Sequence, residues 1–285
     1  MPHSQDKPPI VLTIAGSDSG GGAGIQADIK AISATGSYAC SVITAITSQN
    51  TLGVSAIHPV PLEHIESQLD AVFTDLNVVA VKVGMLADAR IIKVVADKIR
   101  QYKPAHLVVD PVMVATSGDL LLEQSAISTL KEQLIPMADL ITPNLPEGAA
   151  LIDGAVPENE DQMGNMIEEL RALGAKAVLL KGGHLADEAQ SPDIFFDGEQ
   201  CLSLHSPRIP THNTHGTGCT LASAIAARLA LGDAPAEAVQ QAKTYISGAI
   251  AAADLLDVGH GHGPVHHFHS LWPGVSSRGS HNNEN

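Results

Sequence analysis

The sequence predicts a single α/β domain in which a mostly parallel β-sheet carries helices on both faces. Short apolar segments rich in β-branched residues alternate along the chain with helical patterns, and this alternation is typical of such sheets. Glycine or a polar residue follows each apolar segment, as expected where buried strands end. The predicted strands span residues 10–15, 42–47, 80–83, 106–109, 140–142 and 177–180.

Helical patterns lie between these strands and after them. The predicted helices span residues 25–34, 62–76, 89–102, 125–134 and 163–173. We expect residues 10–272 to form the domain, preceded by a flexible N-terminus at 1–9. The tail at 273–285 is rich in Ser, Gly, Asn and His, a composition that predicts disorder.

The last third of the chain changes character. Two short alternating apolar segments, 194–196 and 201–204, flank Asp197-Gly198, which is a dipeptide typical of β-hairpin turns. An alanine-rich region follows and predicts two helices that cover the sheet. One of them carries a continuous apolar stripe formed by Val239, Ala242, Ile246, Ala249, Ile250 and Ala253.

The composition fits a single-domain α/β enzyme in a reducing compartment. With 285 residues, 44% of them hydrophobic, the chain can bury one large core. Its 16 basic and 31 acidic side chains give a net charge of -15, which argues against a nucleic-acid partner. Three widely spaced cysteines predict no disulfide framework. The sequence shows no signal peptide and no apolar segment of bilayer length, so we expect a cytoplasmic protein without membrane contact.

Polar residues and glycines follow the predicted strands, where parallel sheets bind their ligands. One glycine-rich segment, residues 16–28, follows the first strand and opens a helix. It fits neither the dinucleotide-binding GxGxxG spacing nor a Walker A loop, so a plain turn explains it as well as a binding loop does. Asp28 in the first helical turn could accept a hydrogen bond from an amine or hydroxyl of a ligand.

A second glycine-rich segment, residues 213–220, leads directly into an apolar helix. The backbone amides of Gly216, Thr217, Gly218 and Cys219 at a helix N-terminus can bind one anion, where the helix dipole also favours negative charge. Such a site could stabilise a phosphoryl group in transfer. At this position we also expect the Cys219 thiolate to be favoured, although a lone cysteine is more often a small buried hydrophobe.

Together these segments resemble the hydroxymethylpyrimidine/phosphomethylpyrimidine kinases of thiamine biosynthesis, a family of the ribokinase-like superfamily. The resemblance is carried by Gly-Gly-Ala-Gly-Ile-Gln-Ala-Asp28 and Asn213-Thr-His-Gly-Thr-Gly-Cys219. It extends in family order over residues 10–272 and implies a ribokinase-like fold. The further matching segments are Cys40-Ser-Val-Ile-Thr-Ala, Gln49-Asn-Thr, Lys82-Val-Gly-Met-Leu, Asp110-Pro-Val-Met, Leu140-Ile-Thr-Pro-Asn-Leu-Pro-Glu, Lys181-Gly-Gly-His and Gly263-Pro-Val-His-His-Phe-His.

The resemblance also implies roles for individual residues. It places the pyrimidine against Gly16, Asp28, Gln49, Met85 and Val112, with Asp28 and Gln49 reading the ring nitrogen and the amine. It implies that ATP is bound near Asp110, Asn144, Glu147, Lys181 and Thr214, with Mg²⁺ held by Asp110 and Glu147. Helix capping is an ordinary alternative for Asn144 and Glu147, and a solvated strand end is one for Lys181.

Three features leave alternatives open. The superfamily usually has an aspartate base where this chain has Cys219, so the cysteine either accepts the hydroxyl proton or positions the substrate. Lys243 could hold a substrate phosphate or be a snorkelling surface lysine. The histidine-rich segment 260–269 is expected to fold near the nucleotide site rather than to bind a metal.

The resemblance implies two successive transfers of the γ-phosphoryl group of Mg-ATP, first to the hydroxymethylpyrimidine and then to its monophosphate. A pyridoxal or pyridoxine kinase of the same branch is an alternative, because some members with the Gly-Thr-Gly-Cys segment accept that ring. A third alternative is a pyrimidine-binding protein without catalytic activity. The family also implies a homodimer.

Overall fold

The computed structural model describes residues 7–113, 126–183, 185 and 190–272. Within these residues nine strands form one sheet in the order β3-β2-β1-β4-β5-β6-β7-β8-β9. The strands are β1 (Ile10–Asp18), β2 (Tyr38–Asn50), β3 (Gly53–Pro59), β4 (Val78–Val83), β5 (His106–Val109), β6 (Leu140–Ile141), β7 (Ala177–Lys181), β8 (Gln190–Phe196) and β9 (Cys201–Pro207).

Six adjacent strands, β2-β1-β4-β5-β6-β7, pair in parallel. All six were predicted from the sequence, so the mostly parallel sheet is confirmed. The hairpin β8–β9 is also confirmed, and it pairs antiparallel with β7. The edge strand β3, which pairs antiparallel with β2, was missed by the sequence analysis. Most of its side chains are exposed, so its sequence lacks the buried apolar segment that marked the other strands.

Eight α-helices within the described residues surround the sheet. They are α1 (Gly24–Ala34), α2 (Leu62–Asp75), α3 (Ala89–Tyr102), α4 (Ala126–Gln133), α5 (Leu145–Ile152), α6 (Glu160–Arg171), α7 (Thr217–Ala230) and α8 (Pro235–Ala251). The short helix α5 was not predicted as a separate element. The N-terminus before residue 7 and the tail after residue 272 lie outside the described residues, as do Ser125 and His184, so the expectations about them stay predictions.

Strand side chains alternate between two hydrophobic cores, one on each face of the sheet. On β1, Val11 packs with Ala222 and Ala242 of α7 and α8, whereas Leu12 points to the opposite core. The neighbouring strands β4 and β5 alternate in the same way. The small side chains of α7 and α8 allow these helices to lie close to each other and to the sheet, as the alanine-rich pattern predicted.

The connections of the sheet place a crevice at the end of β1. From β1 the chain crosses to β2 on one side and then returns to β4 on the other, so β1 lies between strands reached in opposite directions. At such a switch point the loops separate and leave space for a ligand at the carboxyl ends of the strands. Among the described residues, no helix has the length and apolar character needed to cross a membrane.

Candidate active site

The two glycine-rich segments meet at this crevice through a buried carboxylate. Asp18, at the end of β1, accepts hydrogen bonds from the backbone amides of Gly20, Gly22 and Ala23 at 2.8–3.0 Å. It also accepts one at 2.8 Å from Nε2 of His215, which belongs to the second segment. Burial alone would raise the pKa of Asp18, but the bonds from His215 and the amides lower it overall. The carboxylate is therefore a charged link between the two segments.

Glycine is required where these segments touch. Gly216 has a φ of +80°, and a Cβ there would lie 1.8 Å from the carbonyl oxygen of Gly22. Gly24 has a φ of +55°, and its Cβ would lie 2.4 Å from the carbonyl oxygen of Gly16. Only a residue without a side chain permits both the left-handed backbone and the close approach. Gly216 thus permits contact between the two segments, whereas Gly24 permits a close approach within the first segment.

The N-terminus of α7 lies where the sequence analysis predicted an anion site. The helix begins at Thr217, whose hydroxyl donates to the carbonyl oxygen of Thr214 at 2.7 Å and closes the preceding turn. Amides in the first helical turn have no acceptor within the helix, and the helix dipole points its positive end in the same direction. Gly216, Gly218 and Cys219 lie in this turn or directly before it. The local backbone is therefore suited to a phosphate.

A lysine and a carboxylate lie beside this helix N-terminus. Lys181, at the end of β7, donates from Nζ to Oδ1 of Asp110 at 2.9 Å, and Thr142 donates to the same oxygen at 2.9 Å. A Cβ on Gly218 would lie 3.3 Å from Nζ of Lys181 and 3.6 Å from Oδ2 of Asp110. Ends of three neighbouring strands therefore converge on the first turn of α7. The alternative interpretation of Lys181 as a solvated lysine at a strand end does not fit the structure, since its ammonium is partly buried in an ion pair with Asp110.

The charges of this pair stabilise each other. Burial alone would lower the pKa of Lys181, but Asp110 and Glu147 raise it overall. Burial alone would raise the pKa of Asp110, but Lys181 and Lys82 lower it overall. Both groups are thus charged near neutral pH, and a phosphate would meet a fixed cation beside the helix N-terminus.

Asn144 and Glu147 form a capping box at the start of α5. The Asn144 side chain accepts from the amide of Glu147 at 2.9 Å, and Glu147 accepts from the amide of Asn144 at 2.8 Å. The capping interpretation is confirmed, and it places both side chains at the end of β6. Burial raises the pKa of Glu147 to about 7, against the lowering effect of Lys181. One oxygen of this carboxylate caps the helix, so the group is held rigidly beside Lys181.

The buried Glu147 predicts a pH dependence of stability. Between the ordinary pKa of 4.5 and the raised value of about 7, the folded protein retains a proton that the unfolded chain releases. The free energy of unfolding of the Mg²⁺-free protein should therefore decrease as the pH rises through this window. Glu147→Gln keeps the capping geometry and should remove this part of the decrease. Chemical denaturation across the pH range measures it.

Glu169→Gln on the exposed face of α6 is the matched control for this experiment. It removes a carboxylate without relieving burial, so its denaturation curves should follow those of the unmodified protein. Parallel stability profiles for Glu147→Gln and the unmodified protein would contradict the assignment of the pH dependence to Glu147.

The predicted pyrimidine residues lie at the ends of β1, β2 and β4. A Cβ on Gly16 would lie 3.1 Å from Sδ of Met85, so the two residues are in contact. Gln49 is half-buried, and its Oε1 accepts from the Thr47 hydroxyl at 3.0 Å. That bond leaves the amide nitrogen of Gln49 directed toward His215, at 3.5 Å from Nε2. The structure therefore brings Gly16, Met85 and Gln49 to one edge, next to the Asp18–His215 link.

Val112 follows the end of β5 by three residues. It is half-buried, and its amide donates to the carbonyl oxygen of Asp110 at 2.8 Å. This short turn holds Val112 close to Asp110 at the carboxyl end of the sheet. A role for its side chain in binding the ring stays a prediction.

Asp28 lies deeper than the sequence analysis expected. Its carboxylate is fully buried and is bonded by Lys82 at 2.9 Å, by Thr13 at 2.6 Å and by Ser223 at 2.7 Å. Direct contact with a pyrimidine does not fit this position, because both oxygens are already hydrogen-bonded and neither is exposed. The first turn of α1 points this side chain into the protein, and the sequence alone could not distinguish that direction from the crevice.

The expectation for the Cys219 thiolate also differs from the structure. Burial raises the pKa of Cys219 to about 11, and Asp28 and Asp110 raise it further, against the lowering effect of Lys82. The cost of removing a thiolate from water outweighs the favourable position at the helix N-terminus. The free enzyme therefore carries a neutral thiol at this site.

Lys243 has a structural partner in place of a phosphate. Its ammonium donates to Oδ2 of Asp193 at 2.6 Å and to the carbonyl oxygen of Ser191 at 3.3 Å. Asp193 in turn accepts from the amide of Gly182 at 2.9 Å. Asp193 therefore neutralises Lys243, and the pair links α8 to β8. Lys243 is thus neither a phosphate-binding lysine nor a surface lysine without a partner, the two alternatives that the sequence left open. We exclude it from the phosphate-binding residues.

The histidine-rich segment packs against the anion site, as expected. The amide of His215 donates to the carbonyl oxygen of Gly263 at 3.0 Å, and the amide of Val265 returns a bond to His215 at 3.3 Å. His267 contacts the Thr220 hydroxyl at 3.0 Å, and burial lowers its pKa to about 3, which keeps the ring neutral. Within the described part of the chain, no group of three or more His, Cys, Asp or Glu side chains could hold a metal ion.

Sequence reasoning missed four residues of the site: Thr13, Lys82, His215 and Ser223. Lys82 carried a usable signal, because a lysine within a buried apolar strand requires a partner of opposite charge. For the others the sequence held no such signal. Their contacts join segments between 15 and 197 residues apart, so only the folded chain reveals them.

Known proteins are similar in sequence to this chain over nearly its whole length. The family model described as phosphomethylpyrimidine kinase matches residues 18–266. The chain is 53% identical over 263 residues to a hydroxymethylpyrimidine/phosphomethylpyrimidine kinase of Rhizobium meliloti, covering 92% of this chain and 98% of that protein. It is 51% identical over 261 residues to the protein of the same name in Escherichia coli, with the same coverage.

Solved structures agree with the fold. A pyridoxal kinase of Bacillus subtilis in an ADP complex has a TM-score of 0.85 at 35% identity and covers 93% of this chain and 99% of that chain. A phosphomethylpyrimidine kinase of Clostridium difficile has a TM-score of 0.75 at 45% identity and covers 85% and 99% respectively. The ribokinase-like fold is thereby confirmed. From its sequence and its fold, the chain belongs to the phosphomethylpyrimidine kinase family.

Proposed function

We propose that this enzyme transfers the γ-phosphoryl group of Mg-ATP to hydroxymethylpyrimidine and then to the resulting monophosphate. The observation that carries this proposal is the junction of the two glycine-rich segments through Asp18 and His215. The junction supports the proposal because His215, two residues before α7, lies 3.5 Å from the amide nitrogen of Gln49. The two substrates would therefore meet across the crevice at the end of β1.

The residues of the anion site suit phosphoryl transfer. In the transition state, negative charge spreads over the equatorial oxygens of the transferred group, and catalysis is mainly positioning and electrostatic stabilisation. The amides of Gly216, Gly218 and Cys219 and the ammonium of Lys181 provide positive charge at fixed positions. Since the Asp110–Lys181 pair is preformed, little reorganisation is needed when the phosphate binds.

Asp110 and Glu147 fit a magnesium ion bound together with ATP. Mg²⁺ is usually held by one or two carboxylates with waters and substrate phosphates rather than by a complete protein cage. Asp110 and Glu147 are two buried carboxyl groups beside Lys181, and bound Mg²⁺ would displace the proton that burial favours on Glu147. When bound, Mg²⁺ would neutralise charge on the phosphates. Asn144 would keep Glu147 oriented, and Thr214 would line the nucleotide side of the anion site.

Cys219 is the side chain we assign to the acceptor hydroxyl. Because its thiol is neutral in the free enzyme, it can accept the hydroxyl proton only if a nearby cation stabilises its negative charge. Otherwise it positions the hydroxymethyl group beside the anion site. Replacing Cys219 by serine and by alanine distinguishes the two roles, since serine preserves a hydrogen bond but is a weaker acid than cysteine.

Hydroxymethylpyrimidine is favoured over pyridoxal by the relative identities. The chain is 45–53% identical to relatives named for the pyrimidine and 32–35% identical to solved pyridoxal kinases, although the latter have the higher TM-scores. Gln49 would read a ring with its amide nitrogen, since its Oε1 already accepts from Thr47. The homodimer and the cytoplasmic location implied by the family remain predictions.

Product analysis tests the proposal. Purified protein incubated with Mg-ATP and hydroxymethylpyrimidine should yield a monophosphate and then a diphosphate, detected by mass. A parallel incubation with pyridoxal should proceed more slowly. Faster phosphorylation of pyridoxal would reverse the substrate assignment, and binding of the pyrimidine without any phosphorylated product would show a non-catalytic protein.

A further inference from the structure

Lys82 is a fully buried lysine for which the proposed reaction provides no role. It lies inside β4, and none of its surface is exposed. Its Nζ lies 2.9 Å from both carboxylate oxygens of Asp28. Burying an ammonium is costly even with a partner, and a nonpolar side chain of similar volume would fill the same space at lower cost. A specific requirement for the charge would explain why it is there.

The partner carboxylate connects this charge to the catalytic helix. Asp28 also accepts from the hydroxyl of Ser223 at 2.7 Å, and Ser223 follows Cys219 by one helical turn on α7. Residues four positions apart lie on the same face of a helix. The Lys82–Asp28 pair therefore lies against the face of α7 that carries Cys219.

The end of β4 is shaped around the ammonium. A Cβ on Gly84 would lie 2.6 Å from Nζ of Lys82. A side chain at this position would displace the ammonium, so Gly84 lets it approach the backbone directly before Met85. Lys82 is thus placed beneath both the ring edge and the anion site.

Four charged groups act on Cys219 from the elements around it. Lys82 from β4 is the strongest and favours the thiolate, whereas Asp28 from α1 and Asp110 from the end of β5 oppose it. Lys181 from β7 interacts favourably with a charged Cys219 as well. Burial alone would lower the pKa of Lys82, but Asp28, Cys219 and Asp110 raise it overall, so the cation persists.

We propose that Lys82 is a positioning residue of the phosphoryl-transfer site, whose ammonium is held by Asp28 and supplies the positive charge that stabilises negative charge on Cys219. Its effect on catalysis rests on the proposed function, whereas its effect on the cysteine does not. The proposal explains why a charged pair lies under the site in place of an apolar contact.

Alkylation of Cys219 by iodoacetamide in Mg²⁺-free buffer tests the charge directly. Mass spectrometry follows Cys219 and the exposed Cys201, which serves as internal control. Lys82→Met should slow alkylation of Cys219 roughly tenfold, the change that one pKa unit produces in the thiolate fraction. Asp28→Asn should accelerate it, because the opposing charge is removed and the cation remains. Cys201 should react equally in all variants.

The two variants should change the alkylation rate of Cys219 in opposite directions, and this separates an electrostatic role of Lys82 from a purely structural one. Removing either partner loosens the buried pair, so a structural role predicts faster alkylation of the half-buried Cys219 in both variants. Faster alkylation in Lys82→Met would overturn the proposal. An unchanged rate would also overturn it.

The double variant Lys82→Met/Asp28→Asn tests the effect of the Lys82 charge on Cys219 if Lys82→Met alone fails to fold. It removes both charges from the same volume, and the asparagine can still bond Ser223 and Thr13. The double variant differs from Asp28→Asn only in the charge at position 82, so it should alkylate Cys219 more slowly than Asp28→Asn does. Equal rates in these two folded variants refute the role of Lys82.

Kinetics provide the second readout. Lys82→Met should lower kcat roughly tenfold or more while KM for Mg-ATP changes less than about twofold, because Lys82 acts through Cys219 and does not contact the nucleotide. Alkylation requires no turnover. Absence of pyrimidine kinase activity would therefore count against the proposed function alone, and the alkylation rates would still decide on Lys82.

Discussion

Gly216→Ala is expected to abolish most of the activity and to destabilise the fold. The new methyl group would lie 1.8 Å from the carbonyl oxygen of Gly22, and the φ of +80° is unfavourable for alanine. The backbone strain alone costs about 1–3 kcal/mol. Separation of the two segments would also move the anion site relative to Gln49, and small displacements of this kind cost roughly 100-fold in rate. Denaturation and steady-state kinetics measure both effects.

Gly232→Ala provides a matched control for this variant. Gly232 follows the other end of α7, has a φ of +101° and has no heavy atom within 4 Å of an added Cβ. It should therefore show backbone strain without a clash, with reduced stability and an unchanged kcat. If Gly216→Ala and Gly232→Ala lost similar amounts of activity, contact between the loops would not be what the glycine at 216 provides.

Lys181→Met is expected to lower kcat roughly 100- to 1000-fold, the effect of removing one preorganised group that stabilises charge in a transition state. The variant also leaves Asp110 buried without its cation, which destabilises the fold by about 3–5 kcal/mol. Lys181→Met/Asp110→Asn removes both charges, so it should recover much of the stability without recovering kcat. Rapid-quench or coupled assays measure the loss of activity.

Lys176→Met is the control on the same segment of chain. Lys176 directly precedes β7, opposite to Lys181, and its ammonium bonds Asp139 at 2.6 Å on the exposed surface. An exposed ion pair contributes about 0–1 kcal/mol, so stability should change little and kcat should not change. A Lys181→Met enzyme with near-normal kcat would place the phosphate elsewhere.

Both predictions concern contacts that the sequence suggested only in outline. The resemblance correctly predicted the ribokinase-like fold and the family. The order of apolar segments also predicted the parallel strands and the hairpin β8–β9, since buried strands are continuous hydrophobic segments. The edge strand β3 was missed because its exposed side chains leave no such segment.

The environments of individual site residues were predicted correctly in some cases and wrongly in others. Asn144 and Glu147 form the capping box that their spacing indicated, because capping depends on residues close in sequence. Asp28, Cys219 and Lys243 behave differently from expectation because burial and partners in distant segments determine their charge and direction. Lys243 bonds a residue 50 positions away, and Asp28 bonds one 195 positions away.

By itself the sequence determined most of the strands and helices, where the glycines permit close backbone approach, and which family the chain belongs to. Only the tertiary structure decided which carboxylates face the crevice and which are neutralised within the core. The physical reason is that hydrophobic patterns and caps act over a few residues, whereas desolvation and ion pairing depend on neighbours brought together by the fold. The Lys82–Asp28 pair beneath Cys219 is such a case, since Lys82, Asp28 and Cys219 come from β4, α1 and α7 respectively.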